Sequence, residues 1–588
     1  MAPGLLYVTM QPGDDLSPAQ FHDWYNNEHG PTRLRLPFIT NGFRFRATDT
    51  DTASDPSSSS HPISPEWLAI YDVQDMAELQ REPYLRLRRD DVKSKREKEV
   101  MAKITVERRL YDFVESKDVE GYVPLDALAM AEAEAEGKKN KRVLVAIIQT
   151  LHPDREEEFN NWYREEHLPL LTKVPGWLRT RRYVSSALEP TPVTEYLSLH
   201  EYVSHDGPSS PELQAANATP WREQVMANAV RSRSRRVYEH YYTFGAAPRD
   251  LASLSSETET GATTPFLAPD GLTETFPTSS TSSSAIPAIQ SYIKTPDGVT
   301  LPYRLEGSPN PNAPLLILSN SILTHYKIWD DFITTFFARS PSNRQYRILR
   351  YLTRGRSSNC GTQPITLDVL AADIITILDA LRVPRAAALI GVSLGGATVL
   401  NAALKFPGRT GTFIACDTNA KSPDGNSKVW AERIAMAEGE GAVAADTGER
   451  IVGEQLAEVT VRRWFVRGGS DEGEGEGERG GKFLQVKEMV RDNSLEGFKR
   501  VAEALFQYDL REEMGRYRGA KGAFLVGDED GVLPKTMKEM VGMMGRSDGG
   551  QEGEPAAEFL VVERAGHLPM VERPERFEEL VSGFLGQR

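Results

Sequence analysis

The sequence predicts a tandem α+β fold in residues 1–245 and an α/β fold with a central parallel sheet in residues 288–588. Three observations lead to this prediction. A motif near the start of the chain recurs 138 residues later, and a glycine-rich turn at residues 391–395 stands between an apolar run and a helix-like run. A segment rich in Ser, Thr and Pro separates the two regions. Together they predict two units of different architecture.

The repeated motif reads Phe-x-x-Trp-Tyr-x-x-Glu-His-x-Pro. It runs from Phe21 to Pro31 in the first copy and from Phe159 to Pro169 in the second. Each copy follows an apolar, strand-like run. Spacings of three and four residues place the aromatic members of the motif toward one helix face, which predicts that they pack in a core.

Both copies share the order strand, helix, strand, strand, helix, strand, which is the order of a ferredoxin-like unit. The predicted units are residues 1–115 and 141–245, and Asp126–Gly137, rich in Ala and Glu, predicts a connecting helix. Helices cover only one face of such a sheet, so two units can bury their bare faces against each other. The sequence therefore predicts an intramolecular version of a dimeric α+β barrel.

The motif helix resembles that of the EthD-like branch of the dimeric α+β-barrel families. The resemblance implies a pocket for an aromatic or polyketide-like small molecule. It singles out Glu28 and His29 in the first copy and Glu166 and His167 in the second as a second site. Three interpretations of the histidines stay open: a capping or otherwise satisfied core residue, a catalytic or ligand-binding group, and a metal ligand.

Residues 246–287 are dominated by Ser, Thr, Pro and Ala and include the run Thr278–Ser284. A segment of this composition buries too little apolar surface to offset the entropy lost when the chain is ordered. It predicts a disordered tether between the two regions.

The turn at Gly391–Gly395 has the pattern G-x-S-x-G, with Ser393 at its centre. The apolar run Ala386–Ile390 before it predicts a buried strand, and Gly396–Leu404 after it predicts a helix. In this context the pattern is typical of a nucleophile elbow, a sharp turn that lifts the serine hydroxyl above the sheet. Glycines are needed where the strand and the helix approach too closely for a Cβ atom.

A nucleophilic serine needs a base to remove its proton and an acid to orient that base. His567 lies in a loop after a late strand-like run and is the predicted base, whereas His325 precedes the serine in an early loop. The acid is expected between Ser393 and His567 in chain order. We predict Asp530 as this acid, with Asp528 as the second choice.

Residues 288–588 resemble α/β-hydrolases of the 3-oxoadipate enol-lactonase type. The similar segments are Leu318–Ile322, Arg350–Arg356, Cys416–Lys421, Arg463–Phe465 and Gly566–Pro569. The resemblance implies an α/β-hydrolase fold with a helical cap at about residues 422–510.

Carried over residue by residue, the resemblance makes Ser393 the nucleophile, Asp530 the acid and His567 the base. It also implies an oxyanion hole formed by the backbone N–H groups of Ile322 and Leu394. The chain departs from the family pattern at four places, namely Leu323, Leu352, Arg356 and the acidic insertion Gly468–Gly481. These places shape the substrate pocket. The resemblance therefore implies the type of reaction, and it says less about the substrate.

The chain carries a formal net charge of −15 at pH 7. It lacks the clustered positive charge that phosphate recognition needs, which argues against a nucleic-acid partner. No apolar stretch approaches the ~20 residues of a membrane span, and no signal-peptide pattern opens the chain. Two cysteines, Cys360 and Cys416, make no secretory disulfide framework. These features predict a cytoplasmic protein with a small-molecule substrate and no cofactor or metal, and they leave homo-oligomerisation open.

The leading hypothesis is a serine hydrolase that cleaves an ester or lactone of a small organic acid or polyketide-like metabolite through an acyl-enzyme. In an alternative, the N-terminal barrel is a second catalytic module that isomerises, cyclises or decarboxylates an aromatic or polyketide intermediate. In a further alternative, the barrel is a non-catalytic dimerisation platform.

Overall fold

The computed structural model describes residues 2–49, 65–127, 142–189, 193–255, 263–278, 286–466, 478–545 and 556–586. The chain divides into two compact units, Met1–Pro248 and Arg249–Arg588. Most of the predicted connecting helix Asp126–Gly137 lies outside the described residues. No helix in the described ranges is long and apolar enough to cross a membrane.

The described residues of the first unit form a closed antiparallel barrel of eight strands. The sequence also predicts a barrel for this region. The order around the barrel is β1-β3-β2-β8-β5-β7-β6-β4, and the pairs β2–β8 and β4–β6 join the two halves. The strands are β1 (Gly4–Pro12), β2 (Ile39–Ala47), β3 (Trp67–Val73), β4 (Ile104–Asp118), β5 (Val143–Leu151), β6 (Trp177–Ser185), β7 (Glu195–Tyr202) and β8 (Val230–Thr243).

Alternate residues of β1 face two different cores, because side chains of a strand point to opposite faces in turn. Leu5 belongs to a cluster shared by both halves of the barrel, together with Leu144 and Leu197. Leu6 belongs instead to a cluster confined almost entirely to the first half, where it joins Phe21 of the motif helix. The second half has its own helix-side cluster. The predicted core role of the motif aromatics is confirmed.

In both copies the motif contains a π-helical turn, Tyr25–His29 and Tyr163–His167, which the sequence pattern did not predict. The first residue of each turn accepts a hydrogen bond from the N–H five residues later, at Gly30 or Leu168. A proline, which has no N–H to donate, comes next in both copies.

The α-helices of this unit are Pro18–Trp24, Gly30–Leu34, Glu82–Arg86, Lys95–Met101, Glu156–Trp162, Leu168–Leu171, Pro211–Ala216 and Pro220–Asn228.

The second unit is built on a ten-stranded sheet of order β18-β17-β16-β15-β13-β14-β12-β11-β10-β9. The strands from β13 to β18 pair in parallel, and β9 to β12 add an antiparallel edge. They are β9 (Phe266–Leu267), β10 (Glu274–Phe276), β11 (Ala288–Lys294), β12 (Thr300–Gly307), β13 (Leu315–Ser319), β14 (Arg347–Tyr351), β15 (Ala388–Val392), β16 (Phe413–Cys416), β17 (Gly522–Gly527) and β18 (Ala557–Val562).

A group of helices, called the cap below, lies between β16 and β17. Its helices are Asn426–Glu440, Glu454–Trp464, Glu478–Arg491 and Leu495–Ala502. Most of the acidic insertion Gly468–Gly481 lies outside the described residues. The other α-helices of the unit are Asp330–Arg339, Leu367–Ala380, Leu394–Lys405, Arg511–Arg516, Leu533–Met543, Pro569–Glu572 and Pro574–Gly586.

The described part of residues 246–287 differs from the disordered tether that its composition predicts. Strand β10 pairs with β11, with Glu274 opposite Gln290, and β9 pairs with β10. The Thr273 and Ser291 hydroxyls are 2.8 Å apart and reinforce this edge. The edge of a sheet offers unpaired backbone groups to any neighbouring segment, and composition does not reveal that partner. Residues 279–285 of the Ser/Thr run lie outside the described residues.

Glu201, on β7, is the centre of a buried ion cluster and is 2% exposed. Arg179 donates to its carboxylate at 2.6 Å and the Tyr122 hydroxyl at 2.8 Å, while Arg142 and Arg181 each lie within 3.6 Å. Burial opposes ionisation of Glu201, yet Arg179 and Arg181 outweigh it and hold the pKa of this carboxyl below its ordinary value.

We expect Glu201→Ala to lower the free energy of unfolding of the full chain by about 3–5 kcal/mol at pH 7, because it leaves buried guanidinium groups without their counter-charge. Urea denaturation measures the change. The control is Glu212→Ala, which removes an exposed carboxylate and should change stability by no more than about 0.5 kcal/mol. Equal losses in the two variants would contradict this account of the cluster.

Candidate active site

Ser393 occupies a strained turn between β15 and the helix Leu394–Lys405. Its backbone has φ 58° and ψ −117°, a conformation that a non-glycine residue adopts only when its surroundings enforce it. Its N–H donates to the Cys416 carbonyl at 2.9 Å, and its own carbonyl accepts from the Thr418 hydroxyl at 2.9 Å. The serine is partly exposed while its two neighbours are buried. The predicted elbow geometry is therefore present at this turn.

Two glycines make this turn sterically feasible. A Cβ atom on Gly391 would lie 2.2 Å from the Gly395 carbonyl oxygen, and one on Gly395 would lie 2.3 Å from the Ser319 carbonyl oxygen. Both obstacles are backbone atoms, so a larger residue has no room without a shift of the sheet or the helix. The close approach of Gly395 to the Ser319 carbonyl shows that the end of β13 lies against the elbow.

His567 and Asp530 meet on the loops that follow β18 and β17, two parallel neighbours in the sheet. The His567 Nδ1 atom lies 2.7 Å from Asp530 Oδ2, and the two side chains are only 13% and 17% exposed. A carboxylate can only accept a hydrogen bond, so the proton of the neutral imidazole sits on Nδ1 and Nε2 is left as the basic nitrogen. This is the orientation that a general base requires.

The cap holds the histidine loop in place. The His567 N–H donates to the Trp464 carbonyl at 2.8 Å, and the indole of Trp464 stacks on the imidazole with ring centroids 5.6 Å apart. The Glu572 carboxylate accepts from the N–H groups of Gly566 at 2.8 Å and Val466 at 3.1 Å. These bonds connect the His567 loop to the end of the cap helix Glu454–Trp464, a connection that the sequence did not reveal.

The backbone N–H groups of Ile322 and Leu394 donate to no acceptor among the described residues. Leu394 begins a helix, where N–H groups have no acceptor within the helix, and Ile322 follows β13 in the loop beside the elbow. Leu323 takes φ 68°, so this loop keeps a glycine-like backbone despite its leucine. Unpaired N–H groups near a nucleophile can stabilise a developing oxyanion.

The structure separates the preferred residues from the second choices. Asp528 is exposed, and its carboxylate lies 3.4 Å from the Ala565 N–H rather than at the imidazole. His325 accepts from the Lys327 N–H at 3.1 Å and caps a short helical turn. Burial, reinforced by Arg356, lowers the pKa of His325 to about 3. Neither residue takes part in the His567–Asp530 pair.

Asp417, directly after β16, is a carboxyl that the sequence analysis did not select. It is 1% exposed and has φ 45°. Its Oδ1 accepts from the Gly527 N–H at 2.9 Å, but its Oδ2 has no donor among the described residues. Burial raises the pKa of Asp417 well above its ordinary value, and Asp530 raises it further. Its position at the end of the strand next to the elbow strand was the available signal.

Two cap arginines, Arg433 and Arg463, form no ion pair or hydrogen bond with any described residue. Desolvation lowers the pKa of both guanidinium groups, that of Arg433 to about 10, and the charge of Arg463 adds to the effect on Arg433. Asp530 acts on Arg463 in the opposite direction. Arg463 is exposed and Arg433 stacks on Trp430 at 4.4 Å. Arg463 thus stands within the electrostatic reach of the Asp530 carboxylate, and Arg433 within that of Arg463.

In the first barrel repeat, His29 pairs with a carboxylate that the sequence analysis did not name. Its Nδ1 lies 2.9 Å from Glu97 Oε1. Burial, aided by Arg33, lowers the pKa of His29 to about 4 although Glu97 opposes this, so the imidazole is neutral at pH 7. Glu28 instead forms an ion pair with Arg96 at 2.9 Å. Glu28 and His29 are therefore bound to different partners.

The second repeat reverses one charge at the corresponding place. Ser94 and Thr219 cap equivalent helices, and each accepts from the N–H three residues later, at Glu97 and Arg222 respectively. An arginine thus replaces the carboxylate that faces the first histidine. His167 is buried and its Nδ1 has no hydrogen-bond partner in the described part of the chain.

Glu166 accepts from the Thr219 hydroxyl at 2.7 Å and from the Trp162 indole at 3.0 Å, so it serves the packing of its own repeat.

Within the described ranges, no group of three His, Cys, Asp or Glu side chains could hold a metal ion. Cys360 and Cys416 are buried and form no disulfide bond.

Comparison with known proteins supports the hydrolase assignment. A family model described as the alpha/beta hydrolase family matches residues 319–580. The chain is 26% identical over 288 residues to 3-oxoadipate enol-lactonase 1 of Acinetobacter baylyi, which covers 49% of this chain and 94% of that protein. It is also 26% identical over 278 residues to 3-oxoadipate enol-lactonase 2 of the same organism, covering 46% and 88%.

Similar solved structures include the enol-lactonase from Burkholderia xenovorans LB400, with 24% identity, 49% of this chain and 96% of that chain covered, and a TM-score of 0.40. A hydrolase from Pseudomonas aeruginosa PA01 has 28% identity, covers 50% and 98%, and gives a TM-score of 0.41. The family match and the curated relatives fall on the unit that contains the elbow and the histidine loop. Residues 319–580 are an α/β-hydrolase domain that resembles 3-oxoadipate enol-lactonases, which confirms the hydrolase predicted for the C-terminal half of the chain.

Proposed function

We propose that the C-terminal unit hydrolyses an ester or lactone of a small organic acid through a triad of Ser393, His567 and Asp530. The observation that carries this proposal is the 2.7 Å contact between His567 Nδ1 and Asp530 Oδ2, on loops at the same sheet edge as the strained serine turn. Its relatives named as enol-lactonases support a lactone as the substrate.

In the proposed reaction, His567 Nε2 takes the proton of the Ser393 hydroxyl while the oxygen attacks the substrate carbonyl. The N–H groups of Ile322 and Leu394 stabilise the negative oxygen of the tetrahedral intermediate. The intermediate then expels the alcohol or enol, which takes the proton from His567, and leaves an acyl-enzyme. Water, activated by the same imidazole, releases the acid and restores the serine. Asp530 orients the ring and stabilises its charged form throughout.

The substrate of this proposal carries a carboxylate. Arg433 and Arg463 have no anionic partner in the part of the chain that the structure describes, and desolvation lowers the pKa of both guanidinium groups. A guanidinium group in such a setting gains from binding a planar carboxylate. The polyketide-like metabolites that the sequence left open would also fit if they are acidic.

We expect a fluorophosphonate probe to label the wild-type chain at Ser393 and to leave Ser393→Ala unlabelled. Hydrolysis of p-nitrophenyl esters by that variant should fall by at least about a thousandfold. Peptide mapping identifies the labelled residue without knowledge of the natural substrate. The control is Ser321→Ala, which removes a hydroxyl from the neighbouring loop and should keep the label. Labelling at any other residue, or full turnover without the Ser393 hydroxyl, would contradict the triad.

We expect Arg463→Gln to lower kcat/KM for the p-nitrophenyl monoester of succinate by about 10- to 100-fold, because a charge-assisted hydrogen bond is lost. Hydrolysis of the neutral p-nitrophenyl butyrate should change less than about twofold by the same reasoning. Arg462→Gln is the matched control, since Arg462 contacts Glu458 on its own helix. If both substrates lose activity equally, Arg463 does not recognise a carboxylate.

For the N-terminal barrel, we propose two ferredoxin-like repeats of the EthD-like type that bind a small molecule and transfer a proton in the first repeat only. Each half has the same order of strands and helices, and its strands follow the order 4-1-3-2 in the sheet. The observation that favours proton transfer is the pair His29–Glu97, which leaves Nε2 of a neutral imidazole as a proton acceptor. The second repeat has Arg222 in place of that carboxylate. The proposed role of the second repeat is to position the ligand.

We expect the Ser393→Ala chain to exchange carbon-bound hydrogen for deuterium in a panel of small lactones and 1,3-diketones in D₂O, as followed by proton NMR. His29→Ala should reduce the exchange to the rate of a protein-free sample, and Glu97→Gln should slow the catalysed exchange by about 10- to 100-fold, because the imidazole loses its orientation. His167→Ala should leave the catalysed exchange within about threefold of the parent, because that ring has no carboxylate partner. A barrel that serves only as a dimerisation platform would exchange hydrogen no faster than the protein-free sample in any variant.

A further inference from the structure

Two carboxyl groups lie at the same edge of the sheet as His567. Asp417, at the end of β16, and Asp530, on the loop after β17, are close enough for the charge of Asp530 to act on Asp417. This follows from the sheet, because β16 and β17 are parallel neighbours whose carboxyl ends reach the same edge. The Asp417 carboxyl is also anchored from the other side, since its Oδ1 accepts from the Gly527 N–H at 2.9 Å.

A close approach of these two carboxyls is favourable only if one of them holds a proton. Two ionised carboxylates are both acceptors, and they repel each other strongly in a site that excludes water. The Asp417 Oδ2 atom is buried and has no donor among the described residues, which is the environment of an oxygen that carries its own hydrogen. Asp530, by contrast, already accepts from His567 and stands near the cation of Arg463. The proton therefore belongs on Asp417.

The surroundings of Asp417 agree with this assignment. The charged groups that bear on it from neighbouring elements are Asp530 and Glu572, both acidic, and its chain neighbour Cys416 is a buried thiol. Asp417 is 1% exposed, so water does not compensate a negative charge at this position. Its φ of 45° belongs to the left-handed region, which Asp and Asn enter more readily than most residues.

We propose that Asp417 keeps its proton at neutral pH and donates a hydrogen bond to the Asp530 carboxylate, which makes it a positioning residue for the His567–Asp530 pair. The effect on catalysis rests on the function proposed above, whereas the protonation of Asp417 does not. A neutral donor behind Asp530 stabilises its ionised form and fixes its orientation. An ionised Asp417 would instead raise the energy of the Asp530 carboxylate and weaken the orientation of the imidazole.

The first test uses stability. A carboxyl that stays protonated in the folded chain but ionises in the unfolded chain makes the protein less stable as pH rises above about 4, the pKa of an exposed Asp. Asn resembles the neutral carboxyl and does not titrate. Asp417→Asn should therefore melt close to the wild type at pH 4 and at a progressively higher temperature than the wild type up to pH 8. Asp528→Asn, at an exposed carboxyl, is the control without this trend. A melting temperature below wild type at pH 8 would overturn the proposal.

The second test observes the proton directly. Infrared difference spectra of the full chain at pH 7 should contain the C=O stretching band of a protonated carboxyl in the wild type, and Asp417→Asn should lack it. Asp528→Asn should keep the band. If wild type and Asp417→Asn give the same spectrum in this region, Asp417 is ionised and the proposal is wrong.

The third test separates positioning from packing. Asp417→Gly accepts the positive φ and removes the donor, so kcat should fall about tenfold and the acid limb of the pH profile of kcat/KM should move to higher pH. Asp417→Asn should restore most of the lost turnover, because its amide can donate to Asp530 and accept from Gly527. Equal losses in the two variants would contradict a hydrogen-bond role. Failure of the Ser393→Ala test would refute the triad, but it would leave the infrared and melting results valid for Asp417.

Discussion

The hydrogen bond between His567 and Asp530 is the contact on which the chemistry proposed for the C-terminal unit depends. It spans two loops that are far apart in sequence, and it exists because β17 and β18 are parallel neighbours whose carboxyl ends lie side by side. The cap supports it through the Trp464 carbonyl and the Glu572 carboxylate. A change in the cap would therefore reach the His567 loop without any change in Ser393, Asp530 or His567 themselves.

The barrel contains a second histidine–carboxylate pair, yet its setting differs. His29 lies among aromatic rings, with Trp24 at 4.6 Å, and its partner Glu97 comes from a helix rather than from a loop at a sheet edge. The second repeat has Arg222 at the position that Glu97 takes in the first. The different roles proposed for the two repeats rest on this difference, because a carboxylate and a guanidinium group have opposite effects on a nearby imidazole.

Local pattern and chain order were sufficient to predict the elbow around Ser393 and the pairing of His567 with Asp530. The elbow follows from glycine positions within five residues, and the order of the other two follows from the sheet. The contacts of Glu572 and Trp464 with the His567 loop depend on which loops meet in three dimensions, and the spacing of residues in a single sequence does not record this. Asp417 could be selected only by its position after the strand next to the elbow strand. The strands at Phe266–Leu267 and Glu274–Phe276 were missed for the same reason, since their stability comes from a partner strand rather than from their own composition.

The most direct test of this account is the proton NMR signal of the His567 Nδ1–H group in the full chain. A proton shared with a carboxylate at 2.7 Å gives a strongly downfield resonance that exchanges slowly with water. We expect this resonance in the wild type and in Asp528→Ala, and its loss in Asp530→Ala and in His567→Ala. A spectrum in which Asp530→Ala keeps the resonance would show that another group orients the imidazole and would contradict the account.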